Sequence, residues 1–400
     1  LSVTKISISF LLFLVSLVFS TSNQAKDLQS ANIIVGAEQP SKYLPLLKGK
    51  RVGLLVNQTS LVSKQHLVDF LIERGINVAL IFAPEHGFRG EHGAGESVLD
   101  GRDVKTGVEI VSLHGKIKKP LASHLKKLDI LIFDIQDVGV RFYTYISSMH
   151  YFMESCAENA IPLVILDRPN PNGDYIDGPV LEPKFASFVG KHPIPVVHGL
   201  TVAELAQMIN GEGWLKDAKQ CQLKIIKVNN YDHNRHYSLP VKPSPNLPND
   251  LSVRLYPSLG FFEATPVSVG RGTDWPFQVL GFPNKKMGRF SFTPKSIRGS
   301  WKNLNHAKIE LYGERFKKSP QAKLSLSHFV RWYQLFQSNQ LEFINRPKFL
   351  DKLAGNSKLR SQLSSGMNAA AIEKSWQPGL RKYQQKRKQY LLYTDSDLIK

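Results

Sequence analysis

The sequence predicts an α/β fold, a Rossmann-like and mostly parallel sheet followed by a second, smaller α+β C-terminal domain. Three observations carry that expectation. Short, continuously apolar runs recur between residues 52 and 228; amphipathic helical runs separate them; and the alternation stops at a proline-dense stretch over 240–248. Continuous apolar strands between helices mark a parallel sheet covered on both faces.

The first strand is read over 52–57, and Leu67, Phe70 and Leu71 predict a helix over 61–74 that Gly75 closes. Strands follow over 78–83, 110–113 and 128–135. Ile146, Met149, Met153, Cys156, Ala157 and Ala160 recur at helical spacing, and a fifth strand spans 163–167. Thr201 and Glu204 form a capping box for a helix that carries Val202, Leu205 and Ile209 and ends at Gly211. A further strand covers 223–228. Pro240, Pro243, Pro245 and Pro248 then mark either a domain boundary or a rigid active-site loop, dividing the chain into 34–245 and 246–400. The second part holds a strand over 307–311 and a helix with Leu326, Phe329, Val330, Tyr333 and Phe336 inward. A basic stretch over 381–388 runs into Tyr390 and Tyr393.

Composition narrows the class. With 42% hydrophobic and 21% charged residues in 400, the chain is neither collagen-like, nor a coiled coil, nor broadly disordered. Lys5 precedes an apolar run over 6–19, broken only by Ser7, Ser9 and Ser16, and a small, polar zone over 20–25 follows. That is the pattern of a signal peptide over 1–25, and the run is shorter than the roughly 20 residues of a spanning helix. The expectation is an exported protein, periplasmic or extracellular, without stable membrane insertion once the signal is removed. Cys156 and Cys221 make no disulfide scaffold and neither has a C-x-x-C neighbour; two buried thiols are favoured over a bond between them. A formal charge of +19 favours anionic partners. Export, and the lack of an aromatic-basic strand motif, argue against nucleic acid among them.

Ligands of open parallel sheets bind beyond the carboxyl ends of the strands, and the unusual polar clusters fall there. After the second strand comes Pro84-Glu85-His86-Gly87-Phe88-Arg89-Gly90, continuing through Glu91, His92 and Glu96. Glycines at this density suit a tight loop pressed against a ligand. His86 and His92 with Glu85, Glu91 and Glu96 are also a candidate metal-binding set, although their spacing is not that of known ligand sets. The fourth strand runs into Asp134, Gln136, Asp137, Arg141 and Tyr143. Asp134 and Asp137 are candidate acids, bases or nucleophiles, and Arg141 either clamps a carboxylate or pairs with Asp134. Asn57 ends the first strand, and Asn170 lies in the rigid turn Asp167-Arg168-Pro169-Asn170-Pro171-Asn172-Gly173. His198 is either a ligand contact or a hydrogen-bonded helix-start residue. Asn246 and Arg271, in Ser244-Pro245-Asn246 and Gly270-Arg271-Gly272-Thr273, complete the candidate contacts. The dinucleotide, P-loop and serine-elbow fingerprints are all missing, as is H-E-x-x-H.

Six co-linear strings, P-E-H-G-F-R-G, F-D-I-Q-D-V-G-V-R-F-Y-T-Y, L-D-R-P-N-P-N-G, H-G-L-T-V-A-E-L-A, S-P-N-L-P and G-R-G-T-D-W-P-F, closely resemble the exo-β-N-acetylmuramidases, glycoside hydrolase family 171. The likeness runs from about residue 34 to the end, where R-K-Q-Y-L-L-Y is also similar to that family's last segment. The resemblance implies two domains across a cleft. It implies cofactor-free release of β-linked N-acetylmuramic acid from non-reducing ends of peptidoglycan fragments, as in cell-wall turnover and recycling. It places the essential glutamate at Glu85. Glycoside hydrolysis needs an acid at the leaving oxygen and usually a second carboxyl group. Glu85 at a partly buried strand end, its pKa raised, suits the first role; Asp134 or Asp137 is expected in the second. Arg89, Arg141 and Arg271 are the candidates for the lactyl carboxylate. A retaining, inverting or substrate-assisted course stays open, as does oligomeric state. Two other classes compete: a metal-dependent amide hydrolase of the cell wall, and a non-catalytic wall-binding protein.

Overall fold

The computed structural model describes residues 32–90, 99–295, 305–318 and 323–395. The signal-peptide expectation and His92, Glu91 and Glu96 lie outside the described residues. Helix α1 (Pro40–Leu47) leads into strand β1 (Arg51–Val56). The helix predicted over 61–74 is shorter than expected. A hairpin of β2 (Leu61–Val62) and β3 (Gln65–His66) takes its first half, because Ser63 turns the chain at φ 55°. His66 then caps α2 (Leu67–Glu73), its Nδ1 accepting the Val68 amide at 3.2 Å.

There follow β4 (Asn77–Ala83), β5 (Gly101–Arg102), β6 (Glu109–Ser112), α3 (Ala122–Leu125), β7 (Ile130–Asp134), α4 (Tyr145–Asn159), β8 (Leu163–Leu166), α5 (Val202–Gly211) and β9 (Leu223–Ile226). They build a seven-stranded sheet in the order β5-β6-β4-β1-β7-β8-β9, parallel throughout except for β5. With β5 set aside, the six parallel strands stand in the order third, second, first, fourth, fifth, sixth, which is the Rossmann arrangement. Alternation along β1 explains the two layers. Leu54 and Val56 face a core shared with α1 and α2, while Leu55 faces the larger core shared with α4 and α5. Cys156 and Cys221 are buried thiols in that larger core, with no disulfide between them.

The smaller C-terminal domain begins with α6 (Asp250–Leu259) and has its own antiparallel sheet. The sheet orders β10 (Val279–Phe282), β12 (Leu311–Arg315) and β11 (Phe290–Phe292) with β12 in the centre. The strand expected over 307–311 starts only at Leu311, because His306 and Lys308 take φ of 60° and 64° and turn the chain. Helices α7 (Ser327–Ser338), α8 (Pro347–Ala354), α9 (Lys358–Ser364), α10 (Ala369–Lys374) and α11 (Gln377–Arg387) complete it.

The chain's last described segment returns to the first domain. The amide of Leu392 donates to Glu204 Oε1 at 2.8 Å, and the Tyr393 hydroxyl donates to Asp167 Oδ2 at 2.5 Å. Glu204 also closes the predicted capping box with Thr201 and meets His233 at 3.0 Å. Burial, then the neighbouring Glu204, pushes Asp167 up to about 7 from its ordinary 3.8. Between those values the folded chain holds a proton that the unfolded chain has released. The stabilisation is therefore complete below pH 4 and is lost as pH rises through 7. Urea unfolding across pH 4–8 should show Asp167→Asn lacking a downward slope of up to about 1.4 kcal/mol per pH unit that the wild type carries; parallel curves would assign the slope elsewhere.

Candidate active site

Parallel strands bring the loops after β1, β4, β7 and β8 to one edge, and the C-terminal domain packs over that edge. Between them lies a cleft of about 440 Å³. Glu85 and His86 enter it from the turn after β4, Tyr143, Thr144 and Tyr145 from the start of α4, and Ser244 and Asn246 from the proline-rich loop. Glu263, Arg271 and Arg346 enter from the C-terminal domain.

The Glu85 turn closes with the Gly87 amide donating to the Pro84 carbonyl at 3.0 Å, and its third residue takes the positive φ of a type II turn. That residue is His86, at φ 72°, and its Nε2 lies 3.3 Å from Ser244 Oγ. Two residues at the start of α4 hold Glu85 itself. Thr144 Oγ1 donates to Glu85 Oε2 at 3.2 Å, and the Tyr145 hydroxyl donates to the Glu85 carbonyl at 3.3 Å. Burial above all, then the Glu85 carboxylate, raises the Tyr145 hydroxyl above its usual range, so it stays a donor. Tyr143 and Tyr256 are raised likewise, first by burial. The cleft thus presents protonated phenols beside carboxylates, a wall suited to a polar, hydroxyl-rich ligand.

The proline-rich stretch lines the cleft through Ser244 and Asn246 and also leads to the second domain. The Tyr143 hydroxyl donates to the Pro243 carbonyl at 2.7 Å and pins it. Asn246 is buried at the cleft wall, and its Nδ2 has no partner among the described residues. Arg271 sits between Gly270 and Gly272, both at positive φ, and donates to Glu263 Oε1 through Nε at 3.1 Å and Nη2 at 2.5 Å.

Of the candidates read from sequence, Glu85, His86, Tyr143, Asn246 and Arg271 line this cleft. Asn57 lies just behind it, its side chain reaching the Tyr145 hydroxyl. The others go elsewhere, each for a stated reason. Asp134 is fully buried and bound twice by Arg168, at 2.6 and 2.9 Å, so the ion pair expected with Arg141 is made with Arg168 instead. Asp137 is buried behind Tyr143, accepts the Gly139 amide at 2.6 Å and lies 3.6 Å from His198 Nε2. His198 is a helix-start residue whose Nδ1 accepts the Leu200 amide. Gln136 donates to the carbonyls of Asp137 and Pro169. Asn170 donates to Leu200 and packs on Gly139, where a Cβ would come within 2.1 Å of its Oδ1. Arg89 is held by Asp69 and Asp103 outside the cleft; against the upward push of burial it keeps Asp103 down to about 2. Arg141 is wholly buried and donates to the carbonyls of Pro179, Ile194 and Leu353 at 2.7, 2.7 and 2.8 Å.

Sequence reading missed Glu263, Arg346, Lys118 and Phe188 as cleft residues. Thr144 and Tyr145 stand inside the quoted F-Y-T-Y string, but the other four carry no motif. Their signal is purely spatial. Among the described residues no group of three or more His, Cys, Asp or Glu side chains is placed to hold a metal.

A cleft between a Rossmann-like sheet edge and a smaller domain, walled by carboxylates, arginine and phenols, is the site of a saccharide-processing enzyme. Comparison with known proteins makes the class specific: this chain belongs to the exo-β-N-acetylmuramidase family, whose N-terminal model matches residues 52–251 and whose C-terminal model matches residues 254–393. The chain is 40% identical, over 88% of its length and 89% of the relative's, to the peptidoglycan β-N-acetylmuramidase NamZ of Bacillus subtilis (strain 168). Two crystal structures of DUF1343 family proteins from Bacteroides fragilis NCTC 9343 share the fold. One has a TM-score of 0.83 at 42% identity over 92% of this chain and all of that one; the other has 0.78 at 29% over 90% and 99%.

The placement of Arg141 predicts a structural phenotype. Arg141→Lys keeps the charge but replaces a three-carbonyl fork with a single ammonium. Its thermal midpoint should fall by several degrees while KM of the folded fraction stays within about twofold of wild type. A rise in KM with an unchanged midpoint would return Arg141 to the list of ligand contacts.

Proposed function

We propose that this chain hydrolyses the bond linking a terminal β-N-acetylmuramic acid to the rest of a peptidoglycan fragment, acting from the non-reducing end. The observation that carries this is Glu85: a carboxylate on a tight turn at the sheet's carboxyl edge, held by Thr144, facing the cleft between the two domains. Glu85 acts as the acid that protonates the leaving oxygen. Glu263, held by its neighbour Arg271 on the C-terminal domain's side of the cleft, takes the place first expected for Asp134 or Asp137, both of which are enclosed in the first domain.

Muramic acid differs from N-acetylglucosamine by a lactyl carboxylate, which a guanidinium recognises through paired hydrogen bonds. Arg271 is the one of the three expected arginines that lines the cleft, and its anchoring by Glu263 fixes its direction. Support for export comes from the charged, then apolar, then small-residue order over 1–25. Sequencing the N-terminus of protein recovered from outside the cytoplasm should begin near residue 26. Recovery only from cytoplasm, with residue 1 retained, would refute export.

An aryl β-N-acetylmuramide, with the matching N-acetylglucosaminide as control, tests the activity. Wild type should release the aryl group from the first only, with EDTA making no difference. Glu85→Gln should lose about 10³-fold or more in kcat, and Arg271→Gln should lose discrimination between the two sugars by about tenfold to a hundredfold. Release that EDTA abolishes would favour a metal-dependent hydrolase, and binding without release a wall-binding protein.

A further inference from the structure

We propose that Phe188 and Lys118, continued outward by Tyr151 and Lys191, form a subsite for the leaving side of the scissile bond, shaped for a fragment that carries further carboxylates. This deepens the exo-muramidase reading and rests on it. Phe188 and Val189 occupy the tip of a tight turn, in which Ser187 and Gly190 exchange backbone hydrogen bonds of 2.9 and 3.2 Å. Both tip residues, and Lys118 from the loop before α3, line the cleft.

One helix ties this turn to the acid. Thr144, the residue preceding α4, donates to Glu85 Oε2, and Ser147 in the helix's first turn donates to the Phe188 carbonyl at 2.7 Å. A rigid element therefore fixes the distance from Glu85 to the Phe188 ring. A leaving-side contact needs that constraint, because the acid must meet the oxygen that departs with this sugar.

The side chains form a track. Lys118 Nζ lies 4.5 Å from the centroid of the Phe188 ring, Phe188 stacks on Tyr151 at 6.3 Å with planes 13° apart, and Lys191 Nζ lies 4.5 Å from the Tyr151 centroid. The two stacked rings thus hold two ammonium groups in a row. Its first half belongs to the cleft lining, whereas Tyr151 and Lys191 do not, so the track starts inside the cleft and leads out of it. The cleft rim beside Phe188, residues 115–118, is exposed, whereas Phe277 in the lining is buried and Arg271 and Glu263 are half-buried and paired with each other. An exo-acting enzyme needs a wall where the glycan ends and an exit where it continues. The exit side is the Phe188 side. A fragment continuing there brings the lactyl and peptide carboxylates of its next muramic acid to the two lysines, and their charge meets it.

The test compares two substrates that share the same scissile bond. One is the neutral-leaving disaccharide of N-acetylmuramic acid on N-acetylglucosamine; the other is the tetrasaccharide whose inner muramic acid bears its peptide. In the double variant Lys118→Gln, Lys191→Gln, kcat/KM for the tetrasaccharide should fall about tenfold more than for the disaccharide, and its decline with added salt should flatten. Phe188→Ala should lower both, the tetrasaccharide at least as much. Equal losses on both substrates in the lysine variant, or none on the tetrasaccharide, would overturn the subsite. Failure of wild type to release muramic acid from either substrate would instead strike the underlying activity.

Discussion

A buried guanidinium stands at the joint between the two domains and must be satisfied there without water. Arg141 follows the fourth parallel strand of the sheet, yet its three hydrogen bonds reach Pro179 and Ile194 in the long segment after β8 and Leu353 at the end of α8 in the other domain. Among the described residues it has no carboxylate partner, and burial lowers its hold on its proton, so the carbonyls carry the compensation for a charge removed from water. Leu353 lies about one turn of helix from Phe349 and about two from Arg346, which both stand on the cleft. The same helix thus runs from the joint to the cleft. Gly355, at φ 76°, confirms how close the joint is: a Cβ there would meet Leu181 Cα at 2.8 Å and Arg141 Nη2 at 2.9 Å.

That joint changes what the Rossmann edge can do. In dinucleotide enzymes the ligand sits at the switch point between the first and fourth parallel strands. Here the switch point between β1 and β7 is filled by the chain's own groups. Asn57 Oδ1 accepts from Thr59 twice, at 2.9 and 2.6 Å, Thr59 Oγ1 accepts the Gln136 amide at 3.0 Å, and Ser60 donates to the Asp134 carbonyl. Asp134 and Arg168 seal the same region with a buried pair. The carboxylate we propose as the acid, Glu85, stands one strand outward, at the end of β4, where the second domain rather than a helix N-terminus supplies the facing wall.

What the sequence revealed follows from the range of each interaction. The parallel sheet was legible because apolar continuity is a local property, and so was the Thr201–Glu204 capping box. Glu85, His86 and Arg271 were legible because a ligand loop concentrates glycine with charged residues within a few positions. Such density does not reveal direction. Asp134, Asp137, Gln136, Asn170 and Arg141 occur in equally dense strings, but those strings build the joint and the switch-point plug, whose side chains face inward. Buried polar groups must find partners, so a structural network draws the same residue types as a catalytic one. Glu263, Arg346 and Phe188 were illegible for the opposite reason: each reaches the cleft only through tertiary packing, and nothing in its neighbourhood along the chain differs from ordinary surface.

His86 shows why direction matters at the turn that carries Glu85. A non-glycine residue at φ 72° stores strain of order 1 kcal/mol, which persists only where the surroundings over-determine it. Glycine would relieve that strain, and Gly87 follows immediately at φ 78°, so backbone geometry alone does not call for an imidazole there. The side chain is what the strain maintains. It is buried, and its Nε2 reaches Ser244 Oγ, which in turn accepts the Asn246 amide at 3.2 Å. Through His86 the turn that carries Glu85 is tied to the loop that carries Asn246, and through Thr144 to α4, so three elements converge on one carboxylate. An acid that must meet a single glycosidic oxygen needs positional restraint of that kind from more than one side. A strained histidine is the cost of obtaining it in a turn four residues long.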